Sequence, residues 1–199
     1  ATAFKNAYGV DDTPSYNFFN KFVTKSQLQT VVDAWVADED AAIITYGDIN
    51  TWDTSAITDM SELFKDKSTF ISDISGWDVS SVTNMDGMFN NAVAFNSDIT
   101  NWDVSSVTNM DGMFNGATAF DKEIRGWDVI NVTSFIDMFN NATDFNTLYS
   151  PPTPVTDSFF NKFVTKAKLQ RGIDAWIADE AAATTIYGDI NTWDTSAIT

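Results

Sequence analysis

Neither cysteine nor histidine occurs in the 199 residues. The first absence excludes disulfides and thiolate metal sites, and fits both a reducing compartment and an extracellular repeat held by stacking. The second removes every His-based catalytic triad and the usual near-neutral general base. Positive charge is scarce as well: 11 Lys and Arg stand against 28 Asp and Glu, a net charge of −17. Such a chain repels nucleic acid and anionic membranes and attracts divalent cations or cationic partners. No apolar run approaches the ~20 residues of a membrane span. Phosphate-binding glycine loops, dinucleotide fingerprints and nucleophile elbows are missing too, so no catalytic residue and no cofactor is expected. With 16 Phe, 7 Trp and 44% hydrophobic residues, the chain nevertheless has ample material for a core.

What is present is repetition. Trp52, Trp77, Trp102 and Trp127 stand 25 residues apart, each inside a similar phrase such as SDISGWDVSSVTNM or SDITNWDVSSVTNM. A period of this size marks units too small to bury their own apolar face, which must stack on their neighbours. Equivalent positions then form columns: Ile49/74/99/124, the four Trp, Ile57 with Val82/107/132, Met60/85/110 with Phe135, Phe64/89/114/139 and Phe70/95/120/145. The aromatics read as core. Within one rung, Val79–Met85 alternates as a strand does, and Val82 and its equivalents are β-branched. Met85, Met88, Phe89 and Ala92 follow the spacing of one apolar helix face, with Asp86, Asp111 and Ser61 as N-cap types. The expected fold is therefore an α/β repeat solenoid whose 25-residue rungs contain short strands and a short helix.

A longer period overlies the first. Residues 1–58 match residues 142–199 without a gap at a shift of 141 positions, with 35 identities. YGDINTWDTSAIT at 46–58 returns unchanged at 187–199. Each superrepeat is thus four rungs plus an insert. The divisions are 1–16, end of a preceding rung and linker; 17–45, helical insert; 46–149, four rungs; 150–157, Pro-rich linker; 158–186, second insert; 187–199, start of the next rung. In the insert, Thr24 or Ser26 caps one helix from about Lys25 to Ala42, carrying Leu28, Val31, Val32, Trp35 and Val36, with Phe18, Phe19 and Phe22 docking it on the preceding rung. Pro14, Pro151, Pro152 and Pro154 mark exposed linkers. The chain opens on the tail of a rung and stops mid-rung, which implies a piece of a longer array; any targeting segment would lie outside it.

WDVSSVTNMDGMFNNAVAFNSDITNWDVSSVTNM (77–110) resembles the BspA-like repeat of surface proteins, a divergent leucine-rich-type repeat of bacterial lipoproteins and of protist and algal proteins. The insert-plus-rung phrase at 28–60 is similar to units that open such arrays. The resemblance implies a leucine-rich-repeat-like solenoid at the cell surface, serving structure or adhesion without catalysis. Phe135 and Ile136 depart from it, replacing Met and Asp where an apolar cap would fit.

Two acidic columns are the chemistry candidates. Asp48, Asp73, Asp98, Glu123 and Asp189 share one position; Asp53, Asp78, Asp103, Asp128 and Asp194 share another. Each carboxylate either accepts N–H bonds in its own turn or bridges rungs through calcium, for which Asp48, Asp73, Asp98 and Asp189 are the metal candidates. Asn131-Val-Thr133 and Asn141-Ala-Thr143 are N-glycosylation sequons, and Thr153 among prolines is an O-glycan candidate. The expected function is a non-enzymatic extracellular structural segment that associates head-to-tail or laterally with further copies; the alternative is an adhesin-type module for a protein, glycan or mineral surface.

Overall fold

A computed structural model describes residues 21–160, 166–187 and 190–193. The rung end and linker expected at 1–16, and most of the rung expected at 187–199, lie outside them. Residues 46–145 form four rungs, 46–70, 71–95, 96–120 and 121–145, laid side by side so that equivalent residues meet. Isolated parallel bridges join Asp59 to Asn84, Asn84 to Asn109 and Asn109 to Ser134.

These rungs are not the strands and short helix of the expected leucine-rich-repeat-like α/β solenoid. Among the described residues no strand forms, and no α-helix lies between Tyr46 and Thr143. The backbone explains why. Glu62, Gly87, Gly112 and Asp137 share one repeat position and have φ of +55°, +58°, +56° and +55°. Four residues on, Asp66, Asn91, Gly116 and Asn141 have φ of +60°, +56°, +72° and +58°. Left-handed residues at four-residue spacing cannot continue an α-helix. Instead, alternate amides turn along the stacking direction. Met85, Gly87, Phe89 and Asn91 donate to the carbonyls of Asn109, Asp111, Met113 and Asn115 at 3.0, 2.7, 2.9 and 2.7 Å. Intervening amides close turns within the rung, as Met88 to Met85 (3.2 Å) and Asn90 to Gly87 (2.9 Å) do. Met85, Met88, Phe89 and Ala92 are fully buried all the same, so inward positions fall at helical spacing without a helix. Val79 and Val82, expected in a strand, flank a turn closed by a 2.9 Å bond and both point inward.

The left-handed position gives a local prediction. A Cβ on Gly112 would make ordinary van der Waals contact without a clash, its nearest neighbour being Asn90 Nδ2 at 3.5 Å. Gly112→Ala therefore costs about 1 kcal/mol from backbone conformation alone, and Glu62→Gly at the same repeat position gains about 0.5–1 kcal/mol. Urea midpoints of the two variants should move in opposite directions.

The core is a set of aromatic columns. Phe64, Phe89, Phe114 and Phe139 stack with centroids 5.3, 5.6 and 5.8 Å apart. Phe70, Phe95, Phe120 and Phe145 run beside them at 6.1, 5.8 and 5.7 Å. The four indoles are buried, and each of the later three donates its Nε1–H one rung back: Trp77 to the Ile49 carbonyl, Trp102 to Ile74 and Trp127 to Ile99, at 2.8, 3.3 and 3.3 Å. The indole thus satisfies its polar atom while its rings fill the interior.

The insert is two helices where the sequence suggests one from Lys25 to Ala42. Helix α1 (Lys25–Ala37) starts at Thr24 with a complete capping box to Gln27. Asp38 then breaks the helix in extended conformation (φ −158°, ψ 94°); its amide caps α1 and its carboxylate accepts from the Ala41 amide to start α2 (Glu39–Tyr46). Helix α1 lies over rung one, burying Leu28, Val31, Val32 and Trp35. Trp35 meets Trp52 edge-on at 5.7 Å, and Gln29 Nε2 donates to the Leu63 carbonyl at 3.1 Å. Phe22 packs on Trp52 of the rung that follows it (5.4 Å), while the preceding rung lies outside the described residues. Phe18 and Phe19 lie outside the described residues. Their counterparts Phe159 and Phe160 do cover a preceding rung, with Phe160 stacked on Phe135 at 5.4 Å.

Beyond rung four come α3 (Thr143–Tyr149), the Pro-containing segment 150–156, a 3-10 turn (Asp157–Phe160), α4 (Lys166–Ala178) and α5 (Glu180–Tyr187). The second insert repeats the first: Trp176 meets Trp193 edge-on at 6.1 Å. Among the described residues no helix is long and apolar enough to cross a membrane.

Candidate functional site

The acidic columns run along the outside of the stack, where each carboxylate serves its own turn. Asp48 accepts from the Asn50 amide (2.9 Å), Asp73 from Ser75 (2.9 Å) and Asp98 from Thr100 (3.1 Å). Rungs are also tied together here: Asn50 Nδ2 and Ser97 Oγ both donate to Asp73, at 3.1 Å each. In rung four Arg125 holds Glu123 with Nε and Nη2 at 3.0 and 2.6 Å. The second column behaves alike, Asp78 accepting from the amide and hydroxyl of Ser80 at 3.0 and 2.6 Å. Among the described residues no three Asp or Glu side chains converge as a metal site. Asp48, Asp73 and Asp98 are thus engaged by turn donors; the fourth calcium candidate, Asp189, and Asp194 lie outside the described residues.

These bonds set a pH dependence. Hydroxyl donation from Ser55, Ser80 and Thr100 lowers the pKa of Asp53, Asp78 and Asp98, and the Ser75 amide lowers that of Asp73. A depressed carboxylate contributes stability that is complete above its unfolded value, near 3.9, and is lost as pH falls through the folded value. Asp86 has the opposite sign. Burial, then the charges of Asp111 and Glu62, raise its pKa, so its ionised form opposes folding at neutral pH. Urea melts at successive pH values should show stability falling below about pH 4. Asp86→Asn should raise the midpoint at pH 7, with the gain vanishing once Asp86 is protonated.

Both sequon asparagines are exposed. Asn131 Nδ2 donates to the Ser105 carbonyl at 2.7 Å, while Thr133 joins a column of hydroxyls in which Thr83, Thr108 and Thr133 each donate one rung back at 3.1, 3.0 and 3.0 Å. Asn141 occupies a left-handed position at the end of rung four. Thr153 is exposed beside Pro154.

Sequence reasoning missed a cavity at that same end. Its volume is about 910 Å³, and it lies between residues 132–141 of rung four and the returning segment 150–157, with Asn146 in its wall. Ile136, the expected apolar cap position, lines this cavity and is 67% exposed. The only sequence signal was that Ile136 replaces the Asp of earlier rungs.

Residues 33–151, well over half of the chain, match the family described as Mycoplasma protein of unknown function, DUF285. The chain belongs to this family. The matched DUF285 region opens inside α1 and closes just after rung four, so it takes in the last part of α1, all of α2 and every complete rung. No curated protein and no solved structure matches the chain significantly.

Proposed function

We propose that this DUF285 chain is a non-enzymatic extracellular structural segment, a building block of a surface or filament-forming protein related to the BspA-like repeats, that associates with further copies of itself. The observation that carries the reading is that residue identity is spent on layers: the same Trp and Phe columns run through all four rungs, and a Met column through the first three. An enzyme concentrates unusual residues in one cleft, whereas here the polar side chains recur at every rung and close their own turns. Heterologous contacts between identical units generate open assemblies when the rotation does not close. Glycans on Asn131 and Asn141 would suit such a surface.

Electron microscopy of a concatemer of the 141-residue unit tests this. The structural reading expects an elongated particle whose length grows in proportion to the number of units. Compact particles, or saturable ligand binding abolished by mutating one exposed face, would favour the adhesin reading instead.

A further inference from the structure

The side-chain columns run on past the point where the main-chain seams stop. Met60, Met85, Met110 and Phe135 share one repeat position, and Phe160 stands a further 25 residues on. Its ring stacks on Phe135 at 5.4 Å with the planes 19° apart, while the Phe columns inside the stack step by 5.3–6.1 Å. Phe159 meets Phe139 and Phe145 edge-on at 5.9 and 6.0 Å, and Phe160 is buried. The amides of Phe135, Asp137, Phe139 and Asn141, by contrast, find no acceptor among the described residues. Rung four is therefore closed by two rings and not by another ladder of main-chain bonds.

These rings open the phrase FFNKFVTK at 159–166, which also occurs at 18–25. In the earlier copy, the third Phe of the phrase serves the array ahead. The Phe22 amide donates to the Asp53 carbonyl at 3.0 Å, Lys21 forms a parallel bridge with Asp53, and the Phe22 ring meets Trp52 at 5.4 Å. The later insert repeats the docking of the earlier one: Trp176 meets Trp193 at 6.1 Å and 89°, as Trp35 meets Trp52 at 5.7 Å and 89°. In both copies the second and third Phe are three residues apart, a reach of at most about 11 Å. Helix α5 also lies against the 3-10 turn Asp157–Phe160. The helix pair that serves the array ahead thus touches the turn that closes the array behind.

We propose that FFNKFVTK is a two-sided joint. Its first two Phe close one array, its third Phe opens the next, and consecutive arrays of one chain meet through packed side chains instead of hanging on a free linker. The partner that this surface fits is the following array of the same polypeptide. Modules joined by small interfaces move relative to one another by default; here both the ring contacts and the three-residue reach oppose that motion. Pro151, Pro152 and Pro154 precede the joint and face rung four across the cavity, so the segment they mark is not the crossing. The inference rests on the reading of the chain as a tandem building block, and names how the blocks join.

The chain has no cysteine, so Asn101→Cys in rung three and Ile177→Cys in α4, both at exposed positions, can carry the only two spin labels. Pulsed electron–electron dipolar spectroscopy on the full chain should give one narrow distance distribution. Phe160→Ala should broaden it. Inserting Gly-Ser-Gly-Ser between Phe160 and Asn161 keeps every ring and lengthens only the crossing with flexible residues. It too should broaden the distribution, while the urea transition of the tryptophan core stays where it was. A broad distribution in the parent, or one that either change leaves as narrow as before, would overturn the joint. Velocity sedimentation of the full chain reads the functional proposal separately. Self-association beside a broad distribution sinks the joint and leaves that reading standing; a narrow distribution without self-association supports the joint and counts against that reading.

Discussion

Phe114→Ala should remove about 3–5 kcal/mol from the unfolding free energy. The ring is fully buried and stands in both directions of the core at once: 5.6 and 5.8 Å from Phe89 and Phe139 along the stack, and 4.1 Å from Phe120 within its own rung. Trp127 lies beside it at 6.3 Å. Truncation leaves a void walled by rings of three rungs, each pinned by its own seam, so collapse around the gap is limited. Typical domains are stable by only ~5–15 kcal/mol, and a loss of this size is a large share of that. Ile136→Ala, at an exposed site, should stay within about 0.5 kcal/mol. Urea denaturation followed by tryptophan fluorescence compares the two. Equal losses would contradict a core built of interlocked columns.

Deleting residues 96–120 should leave a folded, cooperative protein, whereas deleting residues 96–119 should not. The first deletion removes rung three whole and sets Phe95 before Asp121, so rung two meets rung four with every column intact. The surviving Met85, Gly87, Phe89 and Asn91 amides then find the carbonyls of Ser134, Ile136, Met138 and Asn140, which rung three uses in the parent. Less surface is buried, so the urea m-value falls while the transition stays sharp. The second deletion leaves one extra residue ahead of rung four. Trp127 and Phe139 no longer fall under Trp77 and Phe89, and all six columns lose register together. Loss of near-ultraviolet circular dichroism and of a cooperative melt is the expected result. Two deletions that behave alike would show that register is not what holds the rungs.

Residue identity carried the columns, since Trp52, Trp77, Trp102 and Trp127 announce their equivalence and the apolar partners follow at fixed offsets. The capping box at Thr24 was legible for the same local reason, because Thr and Gln three residues apart suffice to form it. The rung backbone was not legible. Only Gly87, Gly112 and Gly116 hint at positive φ; Glu62, Asp66, Asn91, Asp137 and Asn141 adopt it under the constraint of the neighbouring rung. Met85, Met88, Phe89 and Ala92 produce helical spacing from linked turns, a degeneracy that periodicity cannot resolve. Asp38 hid the helix break because an aspartate within a run of good helix formers gives little warning. The amides of Phe135, Asp137, Phe139 and Asn141, which find no acceptor among the described residues, were invisible because no side-chain pattern reports main-chain groups.

The seam itself can be measured directly. Scalar couplings through hydrogen bonds, recorded by NMR on the labelled chain, connect an amide nitrogen to the carbonyl carbon that accepts it. The structure predicts correlations from Met85 to Asn109, Phe89 to Met113 and Phe114 to Met138, each spanning 24 residues. Couplings from these amides to carbonyls four residues earlier would restore helices to the rungs and contradict the account.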